Sequence, residues 1–234
     1  MNIWWSKGPA PGNFGDILTP YILRHFGIKH TYVPREAADT LCIGSIAKYA
    51  GKGTTMIGTG AMRASDPIHP KANWLFARGP YTREVILRDG GSCPDFYGDP
   101  ALLLPLICEE SEKTHKIGIV PHYVDYPYVK QNYRNYKVIN LINKNPLDVA
   151  RQISSCEKII SSSLHGIIAA HAYNIPAAWV EFSDKVNGDG IKFYDHFASV
   201  GCQPMSSTFD KPVFQVGVVK TANIIEVFES LRHK

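Results

Sequence analysis

The chain contains no C-x-x-C pair, and its five cysteines, Cys42, Cys93, Cys108, Cys156 and Cys202, are odd in number and widely spaced. This argues against a disulfide framework and a structural zinc site, and fits a reducing compartment. No stretch approaches the ~18 consecutive apolar residues of a membrane span. The opening Met1-Asn-Ile-Trp-Trp-Ser-Lys7 also lacks the charged and apolar regions of a secretory signal. A cytoplasmic protein without a transmembrane segment is therefore expected. There is no basic block either. The 25 Lys and Arg residues are scattered among 21 Asp and Glu for a net charge of +4, which gives a general attraction to anions but no case for nucleic acid. Internal repeats and low-complexity tracts are also missing.

What is present is ordinary globular composition: 234 residues, 44% of them hydrophobic, enough for one large or two small domains with their own cores. Short apolar runs alternate with amphipathic or Gly-rich segments, the pattern of an α/β protein with a mostly parallel sheet. The runs predict strands at Asn2–Trp5, Thr40–Ile43, Thr54–Ile57, Trp74–Ala77, Lys116–Val120, Val138–Leu141, Lys158–Ser161 and Ala177–Phe182. Helices are expected over Asp16–Phe26, with Gly27 as its stop, over Pro80–Arg88, and as a closing helix over 221–232. The change from Leu102-Leu-Leu-Pro105 to the polar run ending at Lys116 reads as a linker. It divides the chain into two Rossmann-like halves, 1–107 and 108–234.

Ligands of open α/β sheets bind outside the carboxyl ends of the strands, so the chemistry is sought there. The first strand runs into Gly8-Pro-Ala-Pro-Gly-Asn-Phe-Gly-Asp16, a loop able to present backbone N–H groups and a helix start to an anion. It matches neither G-x-G-x-x-G nor the P-loop. In the simplest alternative, Asn13 caps the helix and Asp16 favours its positive end. Arg78 closes another strand, where a bidentate cation suits a phosphate or carboxylate; otherwise it is a surface partner of Glu84. Pro121-His122 closes a third. Ser161-Ser162-Ser163-Leu-His165 joins a strand to a small-residue helix, placing His165 in a first turn as anion ligand or proton donor. Lys192 and Asp195, three apart, would share a helix face, and taken alone form a surface ion pair.

Together these segments resemble the polysaccharide pyruvyl transferase family, especially its exopolysaccharide ketal-pyruvate transferase branch. The matching stretches are Gly12-Asn-Phe-Gly-Asp16 with Ile17-Leu-Thr-Pro20, Arg78-Gly-Pro-Tyr-Thr82, Gly98-Asp-Pro-Ala101, Pro121-His122 and Ser161-Ser-Ser-Leu-His-Gly166, in the family's order. The resemblance implies two Rossmann-like domains similar to those of GT-B glycosyltransferases. It also implies phosphoenolpyruvate as donor, and a sugar diol in a polysaccharide or lipid-linked oligosaccharide as acceptor. A lipid-linked acceptor would bring the chain to a membrane periphery. The family histidine falls on His165. Many members carry an arginine where this chain has Ser163, so Arg78 or Lys192 would have to supply the cation.

The expected catalytic residues are His165, as acid or phosphate ligand, with His122 or Asp16 aiding the acceptor hydroxyl. The expected substrate-binding residues are Arg78, Asn13, Gly15, Ser162, Ser163 and Lys192. Placed donors would suffice without a metal or cofactor. The rivals are a GT-B glycosyltransferase using a nucleotide sugar and a non-catalytic sugar-binding relative. For the latter, Trp4, Trp5, Trp74 and the tyrosines between Tyr123 and Tyr136 offer stacking surfaces, although core packing is their commoner role.

Overall fold

The computed structural model describes residues 1–232, so the last two residues of the second predicted half lie outside the described residues. Two parallel sheets organise the chain. The first has the order β2-β1-β3-β4-β5, built from β1 (Asn2–Trp4), β2 (Thr31–Tyr32), β3 (Thr40–Leu41), β4 (Thr55–Ile57) and β5 (Asn73–Phe76). The second has the order β7-β6-β8-β9, from β6 (His115–Val120), β7 (Lys137–Val138), β8 (Cys156–Ser161) and β9 (Ala177–Trp179). All seven strand pairings are parallel. Each connection must therefore cross over, which the helical segments between the strands do.

In β1, β3 and β4 successive residues alternate between two packed faces, whereas a register shift of β4 against β5 lets Trp74 and Phe76, two residues apart, enter different clusters. Leu41, Met56 and Trp74 join one apolar cluster, with Ile86 of α2 (Pro80–Arg88), while Ile3, Ile57 and Phe76 join another. That second cluster continues without a break through Leu102–Leu104 into Ile159, Ile167 and Phe197 of the other half. One core thus joins both sheets. The stretch from Glu109 to Thr114, exposed apart from half-buried Ser111, carries the chain between them.

Several expected boundaries move. The helix predicted over Asp16–Phe26 begins as a 3-10 turn at Asp16–Leu18, and α1 proper is Thr19–His25 with Pro20 in its first turn. Asn13 does not cap it; no side chain does, and the Asn13 Oδ1 has no partner. Gly27 does end it, at φ +68°, a conformation that favours glycine. The linker expected from Pro105 starts later, because Pro100–Leu103 and α3 (Leu104–Ile107) form a helical segment whose first five residues are buried. β2 was not foreseen, since both its residues are exposed and show no alternation. The remaining helices are α4 (Tyr126–Asn132), α5 (Pro146–Ser154), α6 (Leu164–Ala172), α7 (Ile191–Ser199) and α8 (Ala222–Leu231).

α8, foreseen over 221–232, packs back on the first half. Phe228 stacks on Phe26 at 5.2 Å between centroids, and Ile224 fills the space where a side chain on Gly98 would come within 2.4 Å of it. Phe228 is fully buried, so Phe228→Ala is expected to cost ~3–5 kcal/mol through lost transfer energy and an unfilled cavity. Urea unfolding followed by circular dichroism measures it.

Candidate active site

The carboxyl ends of the two sheets face each other, and backbone bonds tie their loops. Phe14 N–H donates to the Leu141 carbonyl at 2.8 Å, and Asn143 N–H to the Gly12 carbonyl at 3.0 Å. The Gly-rich loop after β1 is thereby laid along the chain that continues β7. At its centre Gly15 is required: a Cβ there would fall 1.9 Å from the imidazole of His165. Gly15, expected to bind substrate, serves as the floor on which the ring of His165 lies.

The buried pair Arg78–Asp195 sits beneath. Both side chains are 0% exposed, with Nε to Oδ2 at 3.0 Å. The guanidinium also donates to Ser45 Oγ at 2.8 Å and the Ala61 carbonyl at 2.9 Å. Asp195 accepts in addition from Thr82 N–H at 2.9 Å and Thr82 Oγ at 2.6 Å. A Cβ on Gly60 would fall 2.1 Å from the guanidinium, and one on Gly79 2.1 Å from the Asp195 carbonyl, so only glycine fits either place. This corrects two expectations: Arg78 neither meets Glu84 nor reaches the cleft, and Asp195 pairs with Arg78 instead of Lys192. Arg78 is a positioning residue that clamps α7 against the loops after β3, β4 and β5.

Lys192, one turn before Asp195, reaches a cavity of about 200 Å³ between the sheets, where it meets Asn13, Asp16, His122, Ser163 and His165. Six of the nine expected site residues thus come together. Ser162 stands behind them: its hydroxyl accepts from His122 N–H at 2.9 Å and donates to Asp125 Oδ2 at 2.7 Å. Ser161 bonds Val120 and Ser163 and ties the strand end, while Ser163 holds the helix-start position without a side-chain cap.

Burial sets the protonation of the cavity. Asp16, whose carboxyl accepts from no protein donor among the described residues, is pushed up to about 7 by burial and by the Asp99 carboxylate, against the pull of Lys192. Asp99 is itself raised to about 6 by burial, although Ala101 N–H and Arg78 oppose this; its Oδ2 is buried without a partner. Burial, then Arg78 and Lys192, lower His165 to about 3, and its Nε2 is shut off without a partner. His122 falls to about 4 through burial and Lys192, and Lys192 to about 8 through burial and Arg78. Near neutrality the free cavity therefore holds two neutral imidazoles, a carboxyl at its titration midpoint and one ammonium. A larger hollow of about 510 Å³ lies at the opposite ends of the first sheet, around Thr40, Thr55 and Asn73, away from these groups.

Sequence reasoning missed Asp99 and Asp125. Asp99 lay within a quoted motif, Gly98-Asp-Pro-Ala101, but without a role; Asp125 gave no local signal, because its importance comes from Ser162 and Ser183, 37 and 58 residues away.

A family model described as polysaccharide pyruvyl transferase matches residues 3–184. An uncharacterized protein of Acanthamoeba polyphaga mimivirus is 36% identical over 173 residues, 69% of this chain and 60% of that protein. The chain thus spans less than two thirds of that relative's length. No solved structure matches. The family match takes in the cavity residues from Asn13 to His165 and ends before Lys192 and Asp195.

Two outcomes test the site. Asp195→Ala leaves a buried guanidinium uncompensated and is expected to cost about 3–5 kcal/mol in denaturant unfolding, whereas Arg78→Met with Asp195→Leu recovers much of it. Asp16 keeps its proton to about pH 7 when folded, while an unfolded aspartate ionises near ~3.9. Its contribution is complete below that lower value and is lost as pH rises toward 7. The stability of wild type relative to Asp16→Asn should therefore fall steadily between pH 4 and 7 and level off above about 7 in urea titrations.

Proposed function

The chain belongs to the polysaccharide pyruvyl transferase family, and we propose that it transfers pyruvate from phosphoenolpyruvate to two hydroxyls of a saccharide, as a ketal, during exopolysaccharide or cell-surface glycan synthesis. The observation that carries this reading is the small cavity in which a protonatable carboxyl, two neutral imidazoles and one ammonium converge. We read the architecture as two Rossmann-like domains in a GT-B-like arrangement, 1–107 and 108–234, with α8 returning to the first. A cytoplasmic site of action is supported by five free, buried cysteines.

In this reading the donor's anionic groups meet Lys192 and the start of α6, where the N–H groups of Leu164 and His165 precede the first intrahelical bond, made by Gly166 to the Ser163 carbonyl at 3.1 Å. His165 donates from its neutral ring, and an arriving phosphate raises its affinity for a second proton. Asp16, protonated near neutrality, is better matched to the acid step than His165. It gives its proton to the methylene carbon of the enol, leaving the adjacent carbon cationic. A sugar hydroxyl attacks that carbon and passes its proton to His122, held by Ser162 and Asp125. The carbon–oxygen bond to phosphate then breaks, phosphate leaves with the electron pair and takes the proton held by His122, and the second hydroxyl closes the ketal as its proton passes to the Asp16 carboxylate, restoring both groups. Fixed donors around developing charge supply the stabilisation.

The test is pyruvyl transfer from phosphoenolpyruvate to an acceptor glycan, with phosphate release measured in parallel. Asp16→Asn is expected to lower turnover by ~10²–10⁴ through loss of the acid, and His165→Ala by ~10²–10³ through loss of a fixed donor to the phosphate. Activity should also fall as pH rises through about 7, where Asp16 loses its proton. Rates within twofold of wild type for both variants would overturn the assignment.

A further inference from the structure

A second cavity, of about 260 Å³, opens beside the first, and Asn187 and Lys192 line both. Its lining has a different chemistry. Tyr194, 37% exposed, presents the accessible aromatic face of the wall; the edge of Trp179, 3% exposed, backs it at 5.6 Å between centroids with near-perpendicular planes, and Phe193 stacks on Trp179 at 4.3 Å. Gly190, at φ +88°, leaves that wall open; a Cβ there would rest 3.3 Å from Tyr194 and 3.6 Å from Trp179. Glu181 and Asp184 line the cavity, are exposed, and make no ion pair among the described residues. Asp189 is already engaged, accepting from Ala64 N–H at 2.8 Å and Ile191 N–H at 3.1 Å.

Two free carboxylates repel a phosphate or carboxylate ligand and accept hydrogen bonds from hydroxyls. An aromatic wall suits a ligand with an apolar face and a polar rim. The volume is below the ~300–1,000 Å³ of drug-sized pockets, which suits a single ring. Between the cavities stands Lys192, only 6% exposed, whose ammonium has one protein oxygen, the Asn187 carbonyl at 2.8 Å, for its three N–H groups. A buried ammonium with unused donors at a cavity divide has partners still to come.

We propose that this second cavity seats one uncharged pyranose ring of the acceptor. Glu181 and Asp184 take its hydroxyl protons in hydrogen bonds, Tyr194, backed by Trp179, flanks its C–H face, and Lys192 separates it from the donor cavity. The proposal rests on the pyruvyl-transfer reading for the identity of the acceptor, but the site itself is testable without turnover.

The full chain, with ¹⁵N-labelled tryptophan and histidine, is titrated with methyl glucopyranoside, galactopyranoside and mannopyranoside up to about 50 mM, enough to saturate a millimolar site. The Trp179 indole signal is assigned with Trp179→Phe, and phosphoenolpyruvate is titrated separately while the imidazole of His165 is observed. At least one pyranoside is expected to shift Trp179 saturably. The double variant Glu181→Gln with Asp184→Asn should weaken that binding at least tenfold and leave phosphoenolpyruvate binding within twofold; circular dichroism confirms that the variant is folded. If no pyranoside moves Trp179, or the double variant binds it as wild type does, the sugar site is overturned, even with phosphoenolpyruvate bound and turned over. Saturable pyranoside binding at Trp179 without any phosphoenolpyruvate binding would sustain the sugar site and sink the transfer reading.

Discussion

The geometry of the cleft depends on one buried ion pair. Taking Arg78 and Asp195 out of water carries a desolvation penalty that their attraction offsets only when the remaining donors and acceptors are satisfied. Here Ser45, Ala61 and Thr82 satisfy them. The pair is therefore weak as a source of stability and strong as a constraint: few arrangements of α7 against the first sheet satisfy so many bonds at once. Gly60 and Gly79 enforce the same constraint sterically, since any side chain at either position would collide with the pair or its backbone. With α7 fixed, Lys192 one turn earlier is directed to the cavity.

The same buried charge adds to the electrostatics above it. Burial is the main cause that lowers His165, Lys192 and His196; Arg78 depresses the first two further and, after His171, helps keep His196 well below its ordinary value. His196 bonds His171 at 3.0 Å, and burial holds His171 low as well, to about 4. The layer beneath the cleft is therefore a block of neutral imidazoles around one paired cation. Asp99 works in the opposite direction: confined, with one oxygen unpartnered, it raises Asp16. Acid and neutral-base character at one pH thus comes from environment, the familiar route by which like groups are given different tasks.

Local patterns made much of this legible in the sequence. Eight of the nine strands among the described residues overlap predicted apolar runs, β7 by Val138 alone, because strands packed between layers read as short apolar runs. The loops at strand ends followed from the general rule for parallel sheets, and that rule led to Asn13, Asp16, His122, Ser163 and His165. The long-range partnerships were not legible. Arg78 and Asp195 are 117 residues apart, and each has a nearer charge, Glu84 or Lys192, that local reasoning prefers. Lys192 and Asp195 do share a helix face, yet that face is buried, and burial decided their partners. Gly15 was expected to bind substrate and Gly60 gave no local signal, whereas the importance of both, and of Gly79, lies in what presses on them.

In the proposed reaction, Ser163 lets the site keep its chemistry while the charge is supplied from elsewhere. The family resemblance implies an arginine at this position, in the approach to the helix that carries His165. An arginine there would stand beside Lys192, in a cavity whose volume is only about 200 Å³. Two adjacent unpaired cations would lower each other's affinity for protons and further depress His165, already at about 3 through Arg78 and Lys192. With serine at 163 and lysine at 192, one cation remains, delivered by α7 from the far side of the cavity and fixed by the Arg78–Asp195 clamp. In the proposed reaction this leaves the start of α6 free for the donor's phosphate, and it makes donor binding depend on the contact between the two halves. The proposed anion site is therefore a property of the assembled cleft, held by neither sheet alone.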